Sequence, residues 1–359
     1  MGLYKTILRP LLFSIDPEAA HGLASGLSAT ATKFPFAKRV FRSFLKYDSA
    51  RLRSTVAGID FPNPVGLAAG FDKTGKLYPF LSNAGFGYVE CGTFTALKQP
   101  GNSRPRIFRF PEHEALVNRM GFNNPGAEDA QKNISGQMHT IPRGINLGKS
   151  KLTPLEEATE DYVKSLSLLM NHADYITINV SSPNTPNLRM LQEKNVIHAL
   201  LSTLQKKIRL NKNKDSTVPL FVKLAPDLSL QEFNEILDVL VDIDLDGVIL
   251  TNTTLNKSIL GSKSGIEGGL SGRPLNQKST EMIRHAFLHT KGKLPIIGVG
   301  GIFSGEDIIE KIRAGASLVQ IYTGYIYEGP GFPSALCRYL DHYLDKNNTS
   351  LSRLVGSAN

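Results

Sequence analysis

The residues best suited to chemistry lie in one short stretch, Ile178-Asn-Val-Ser-Ser-Pro-Asn-Thr-Pro-Asn-Leu-Arg189. Asn179, Ser182, Asn184 and Asn187 offer amides and a hydroxyl, and Pro183 and Pro186 stiffen the backbone between them. An amide presents a donor and an acceptor side by side, so several asparagines suit the edges of a small polar ring. Ser182 supplies the hydroxyl, which is a weak base or nucleophile unless its surroundings help it. The same letters also suit an ordinary polar turn, so their meaning depends on what the chain places against them.

Apolar, β-branched runs alternate with amphipathic stretches from about residue 55. Strand cores are expected at 65–68, 88–90, 144–147, 175–180, 220–224, 247–250, 296–299 and 318–322. Helices are expected at 155–170, 193–208, 230–243, 277–288 and 305–314. Eight such units predict a (β/α)8 TIM barrel. An open doubly wound sheet is the competitor, but its Gly-x-Gly-x-x-Gly turn is absent after the first strand. Residues 105–126 read as an insertion over the barrel mouth, with short strands at 107–110 and 115–117.

In such a barrel the C-terminal ends of the strands carry the site. There the sequence places Ala69 to Lys73, Thr93, Asn146, Lys149, Asn179, Ser182, Lys223, Thr251 to Thr254, Gly300-Gly301 and Tyr322-Thr323-Gly324. The set is amides, hydroxyls and lysines, which bind, orient and stabilise negative charge. No His/Cys cluster has metal-ligand spacing, no Gly-x-Ser-x-Gly elbow occurs, and no close carboxylate pair suggests glycoside hydrolysis. Redox or other hard chemistry would therefore need a cofactor. The Gly300-Gly301 turn, followed by a helix from Gly305, is a candidate phosphate cradle aided by the helix dipole; two plain tight turns are the alternative. Gly144 to Ser150 looks like a Walker A loop but is one residue short and runs through an expected strand.

The chain has 359 residues, 41% of them hydrophobic, with mean hydropathy −0.13, which suits a soluble globular protein with a large core. Two cysteines, Cys91 and Cys337, exclude a disulfide framework and a four-cysteine iron–sulfur cluster. The net charge is +9, and residues 1–53 hold nine Lys/Arg against Asp16, Glu18 and Asp48. That segment is rich in Leu and Phe and has no nucleic-acid motif, so an anionic membrane surface is the better partner. Leu3, Ile7, Leu8, Leu11 and Leu12, then Ala20, Leu23, Ala24 and Leu27, repeat at helical spacing. Residues 1–50 are read as an amphipathic helical pair on a membrane, with a simple helical cap on the barrel as the alternative. No run is long enough to span a bilayer or to form a signal-peptide core, and Gly2 to Thr6 match only a loose myristoylation pattern. Residues 51–342 form the barrel, and 343–359 are expected to be a frayed polar tail.

Taken together, GLAAGFDK (66–73), GTFT (92–95), NRMGFNN (118–124), GINLGKSK (144–151), NVSSPNTPNLR (179–189), VKLAPDLS (222–229), TNTT (251–254), GGLSGRPL (268–275), GVGGI (298–302) and LVQIYTG (318–324) resemble the quinone-dependent (class 2) dihydroorotate dehydrogenases. The resemblance covers about residues 3–340. It implies one FMN per chain, oxidation of dihydroorotate to orotate in pyrimidine biosynthesis, and electron transfer to a membrane quinone. It implies FMN contacts at Ala69, Gly70, Phe71, Asp72, Lys73, Thr93, Asn146, Asn179, Lys223, Thr251, Gly272, Gly301, Tyr322 and Thr323. It places the orotate ring at Lys73, Asn118, Arg119, Met120, Gly121, Phe122, Asn179, Asn184, Asn252 and Thr253, with Ser182 as base. His21, Arg109 and Tyr322 resemble quinone-channel residues. Ser182 stands where class 1 members carry Cys, and the basic N-terminal segment is one that class 1 lacks. A peripheral protein on the cytoplasmic face of the inner membrane is expected, the side from the low cysteine count and a bacterial cell from the lack of a transit peptide, with no metal and no nucleic acid. A flavin-free phosphate-binding barrel, a non-catalytic membrane scaffold and a soluble acceptor such as fumarate are the rival readings.

Overall fold

The eight apolar runs become eight parallel strands: β1 Val65–Leu67, β2 Tyr88–Phe94, β3 Arg143–Leu147, β4 Tyr175–Asn179, β5 Leu220–Leu224, β6 Gly247–Leu250, β7 Ile296–Val299 and β8 Leu318–Ile321. Each pairs with its neighbours in sequence, and β8 pairs with β1, so the sheet closes into a barrel. This computed structural model describes residues 2–31, 43, 45–211 and 217–359. The expected helical stretch 1–50 lies partly outside them, at residue 1, residues 32–42 and residue 44.

The barrel is plugged from below by an aromatic layer. Glycines on one strand leave room for rings on the next. A Cβ on Gly66 would lie 2.2 Å from the Tyr88 ring, one on Gly144 2.2 Å from Tyr175, and one on Gly247 2.2 Å from Phe221. These rings pack with Val56 and Phe61 from an antiparallel hairpin, Ser54–Val56 and Ile59–Phe61, that closes the N-terminal end. The interior is therefore solid core up to the level of the strand C-termini, which pushes any cavity to that end.

The insertion forms its two expected strands, Ile107–Phe110 and Ala115–Asn118. A third strand, Gly269–Gly272, joins them from the loop after β6, which short-range pattern does not disclose. The tail reading is corrected. Phe332–Lys346 is helical, and Leu351–Leu354 forms a short helix whose Leu351 and Leu354 are buried. Beyond it the Gly356 and Ala358 N–H groups donate to the carbonyls of Ile312 and Arg313. Two leucines three apart in a polar stretch carry little pattern alone. They are held because the helix Gly305–Arg313 offers them an apolar surface and free carbonyls.

At the N-terminus a π-helical segment, Tyr4–Leu8, runs into helix α1, Arg9–Phe13, and α2, Pro17–Ala31, follows. Asp16 caps α2, its Oδ1 accepting from the Glu18 and Ala19 N–H groups. No helix among the described residues is long and apolar enough to cross a membrane.

Candidate active site

Inside the barrel, below the strand ends, a buried carboxylate organises the polar layer. Glu90 on β2 is fully buried. It accepts from Asn146 Nδ2 on β3 (2.7 Å), Tyr175 OH (3.1 Å) and Thr177 Oγ1 (3.3 Å) on β4, and Gln320 Nε2 on β8 (2.8 Å). Asn146 Oδ1 in turn accepts from Thr93 Oγ1 (2.6 Å) and Asn179 Nδ2 (3.2 Å). Asn179 Oδ1 accepts from the Ser181 N–H and hydroxyl and from Asn252 Nδ2. The network spans β2, β3, β4 and β8 and reaches the loop after β6, so rotation of any one amide costs partners on several strands.

Above this layer opens a cavity of about 420 Å³. Lys223 lines it and makes no hydrogen bond among the described residues; burial lowers its pKa, opposed by the negative charge of Glu90. Lys73 lines it too. Burial pushes its ammonium down to about 8, with Glu18 and Asp72 opposing and Arg106 adding to the effect. Ser182 is buried, and its Oγ accepts from the Asn184 N–H at 3.3 Å. Thr185 Oγ1, three residues on, is buried with no hydrogen-bond partner. Its donor and acceptor capacity is therefore unused among the described residues.

The residues named from sequence converge on this cavity. Ala69, Gly70, Phe71, Lys73, Thr93, Asn118, Met120, Gly121, Phe122, Asn179, Ser182, Asn184, Lys223, Thr251, Asn252, Thr253, Gly272, Gly301, Tyr322 and Thr323 all line it, as do His21 and Arg109. Three do not. Asn146 lies beneath, bonded to Glu90. Asp72 is spent on backbone, its carboxylate accepting from the Leu77 (2.9 Å), Tyr78 (3.1 Å) and Thr74 (3.3 Å) N–H groups. The Arg119 guanidinium turns outward to Glu267 and the Pro105 carbonyl. Lys149 also leaves the polar ring, donating to the carbonyls of Ser150 and Thr153. Asn187 is exposed and takes a left-handed φ of +57°, a turn role that Asn tolerates.

Glu90, Gln320 and Arg189 escaped the sequence reading. For the first two a signal exists: each is a polar residue inside a strand core, where only a paired group is tolerated. Arg189 lies within the opening motif. Its guanidinium donates to the Ser181 carbonyl (3.1 Å), to Asp227 Oδ2 (2.9 Å) and to the Thr253 carbonyl (3.2 Å), tying the loops after β4, β5 and β6 together.

The cavity continues outward between the N-terminal helices, where Tyr4, Leu8, Leu12, Phe13, Ala20, His21 and Ala24 form its wall. His21 packs edge-on to Phe71, ring centroids 4.9 Å apart, and burial pulls its pKa down to about 4, so it is neutral at pH 7. Polar contacts fasten these helices to the barrel. Tyr4 OH donates to the Ile326 carbonyl, Lys5 pairs with Glu328 at 2.6 Å, and Glu18 takes two hydrogen bonds from the buried Arg106. Their other side is apolar and open: Leu3, Ile7, Leu11, Leu23 and Leu27 are each more than half exposed.

The donor set fits FMN. Gly300 and Gly301 have φ of +125° and +70°, and a Cβ on Gly301 would lie 2.4 Å from Asn276 Cα, so only glycine lets this turn form beside that helix. The expected helper, the helix from Gly305, is taken: Asp307 Oδ2 accepts from the Phe303 and Ser304 N–H groups in a capping box. The sequence Ser304-Gly-Glu-Asp307 carries that signal. The open helix start belongs instead to Thr323–Glu328, which no side chain caps and whose Thr323, Gly324 and Tyr325 line the cavity. Deeper in, Gln320 Oε1 is buried and unpartnered, and the Lys223 side chain makes no hydrogen bond among the described residues. Uncapped backbone donors beside a glycine turn, with a lysine and an unused acceptor among the other lining groups, suit a phosphate-bearing flavin.

A family model described as dihydroorotate dehydrogenase matches residues 51–344. The dihydroorotate dehydrogenase (quinone) of Christiangramia forsetii is 47% identical over 329 residues, covering 91% of this chain and 96% of that protein. That of Gloeobacter violaceus is 49% identical over 330 residues, covering 92% and 91%. Among solved structures, DHODH from Eimeria tenella in complex with ferulenol superposes with a TM-score of 0.87 at 34% identity, covering 95% of each chain.

Proposed function

The chain belongs to the dihydroorotate dehydrogenase family, and from that premise we propose that it oxidises dihydroorotate to orotate in pyrimidine biosynthesis with a membrane quinone as electron acceptor and FMN as its cofactor. One observation carries the reading: a single cavity is lined at one end by Ser182 and the amide set and at the other by the N-terminal helices. A soluble acceptor such as fumarate would not need that second end.

FMN would be held by the turns at Gly70, Gly272, Gly301 and Thr323, with Thr93, Asn179, Lys223 and Thr251 toward its ring system and Asn146 fixing Thr93 and Asn179 from beneath. Bound there, it supplies the acceptor for the hydride leaving C6 of dihydroorotate. The other steps fall to side chains. Asn118, Asn184 and Asn252 match the imide and amide edges of the substrate. Lys73 pairs with its carboxylate, a charge-assisted contact strengthened by burial. Ser182 Oγ takes the proton from C5 and passes it on by way of Thr185. Lys223, cationic and dehydrated, stabilises the negative charge that arrives with the hydride.

The exposed leucines of the N-terminal helices, with the excess of Lys and Arg over Asp and Glu in the sequence of residues 1–53, support peripheral binding to an anionic membrane, on the cytoplasmic face of a bacterial cell. The quinone would enter between them, past His21 and Arg109, toward Tyr322. The first experiment is anaerobic mixing of the yellow holoprotein with dihydroorotate, then with a lipophilic quinone. Bleaching followed by return of the flavin absorbance is expected. A protein lacking residues 1–45 should still bleach but turn over quinone poorly. A flavin that dihydroorotate leaves oxidised would overturn the proposal.

A further inference from the structure

Two side-chain amide oxygens that line the cavity are buried without a partner, Asn123 Oδ1 and Gln320 Oε1. Asn123 sits on the insertion beside Asn118 to Phe122, on the substrate side. Gln320 sits on β8 within the barrel and is completely buried. Its orientation is not free. Glu90 is an acceptor, so the Gln320 amide must turn Nε2 toward it, at 2.8 Å, and Oε1 away from it. A neutral amide facing an amide could flip; one facing a carboxylate could not without setting two oxygens together.

The other side-chain carbonyls at this level are committed. Asn146 Oδ1 already takes two hydrogen bonds, and Asn179 Oδ1 takes three. Lys223 nearby can only donate. The imide edge of a flavin needs donors for its two carbonyls and one acceptor between them, because the oxidised ring has a single N–H, at N3. Among the described residues, the buried side-chain oxygens lining the cavity without a partner are Asn123 Oδ1, Thr253 Oγ1 and Gln320 Oε1, and of these Gln320 is the one bonded into the Glu90 layer.

We infer that Gln320 is a direct acceptor for the flavin N3–H, and that Glu90 is the positioning residue that fixes which end of the Gln320 amide faces the cofactor. The inference rests on the FMN reading above. It predicts that replacing the N3 hydrogen by a methyl group removes a hydrogen bond that belongs to Gln320.

The test is a cycle on the full-length apoprotein, titrated with FMN and with N3-methyl-FMN and followed by quenching of flavin fluorescence. In the wild type, methylation should weaken binding about tenfold or more, the scale of one buried hydrogen bond lost together with its space. In Gln320→Leu and Gln320→Met the methylation penalty should shrink several-fold, whatever either variant does to FMN affinity itself. In Glu90→Gln, which frees the amide to turn, it should fall between. As a check that needs only folded holoprotein, the 15N resonance of N3 in labelled FMN should move between wild type and Gln320→Met. An undiminished penalty in both Gln320 variants, or an unmoved N3 resonance, overturns the assignment while leaving FMN in place. Failure of the wild type to bind FMN at all would instead remove the cofactor reading, and this inference with it.

Discussion

Replacing Gly301 by alanine should cripple cofactor binding at the phosphate and nowhere else. The residue has φ +70°, and its added Cβ would stand 2.4 Å from both Asn276 Cα and Cβ, about 1 Å inside ordinary contact. Those atoms open the helix Asn276–His289, so the obstacle is not a flexible tip that can swing away. The left-handed conformation costs alanine about 1–2 kcal/mol. Relieving the contact breaks the hydrogen bond from Asn276 Nδ2 to the Gly301 carbonyl (2.9 Å), a further ~0.5–1.5 kcal/mol. A turn that relaxes in the empty protein must be pulled back when the phosphate binds, so the cost falls on affinity. Together these give a loss of about 10- to 300-fold in FMN binding at 1.4 kcal/mol per decade. The assay is titration of apoprotein with FMN and, in parallel, with riboflavin, which lacks the phosphate. Gly265→Ala is the control, since nothing lies within 4 Å of its added Cβ. The loss should appear with FMN and be much smaller with riboflavin. Equal losses for the two ligands would refute a phosphate cradle at this turn.

Other perturbations reach the remaining parts of the site. Ser182→Ala should slow flavin reduction by about 10²-fold or more, the scale of a positioned base, and Thr185→Val should slow it less and shift the pH profile; stopped-flow absorbance measures both. Arg189→Lys keeps the charge but loses the fork that joins Ser181, Asp227 and Thr253, so turnover should fall about tenfold with FMN affinity unchanged; steady-state kinetics beside a flavin titration would show otherwise. Lys73 carries a pKa of about 8 in the empty site, lowered by burial, so it is cationic below that pH and neutral above it. The kcat/KM for dihydroorotate should therefore decline as pH rises through about 8, and Lys73→Met should lie at the low level throughout; a wild-type profile flat from pH 7 to 9 would rule out a role for its charge.

The comparison of pattern with fold is uneven along the chain. The strand cores at 220–224, 247–250 and 296–299 match β5, β6 and β7 residue for residue, because a strand buried on both faces is a continuous apolar run with abrupt ends. β2 runs four residues beyond its expected end, to Phe94, through Cys91, Gly92 and Thr93. Glycine and threonine there look like a loop, yet pairing with β3 continues the strand. The tail fails for the opposite reason: its helix is held by a partner surface rather than by its own periodicity. The Gly300-Gly301 turn forms, but the helix expected to assist it does not offer its first donors, since the N–H groups of Phe303 and Ser304 are consumed by Asp307.

The barrel and the identities at its strand ends are legible in the residues alone. Burial periodicity is local, and the chemistry of Asn179, Ser182 and Lys223 is written in single residues. Which of those groups remain free depends on the folded arrangement. Asp72, Lys149 and the Arg119 guanidinium have the right chemistry and are spent on the protein's own backbone or surface. Gln320 looks like a stray polar residue in a strand and is left with an unused, oriented oxygen. Hydrogen-bonding capacity is a property of side-chain type, but whether it is already satisfied depends on contacts between residues hundreds of positions apart, such as Glu90 with Gln320.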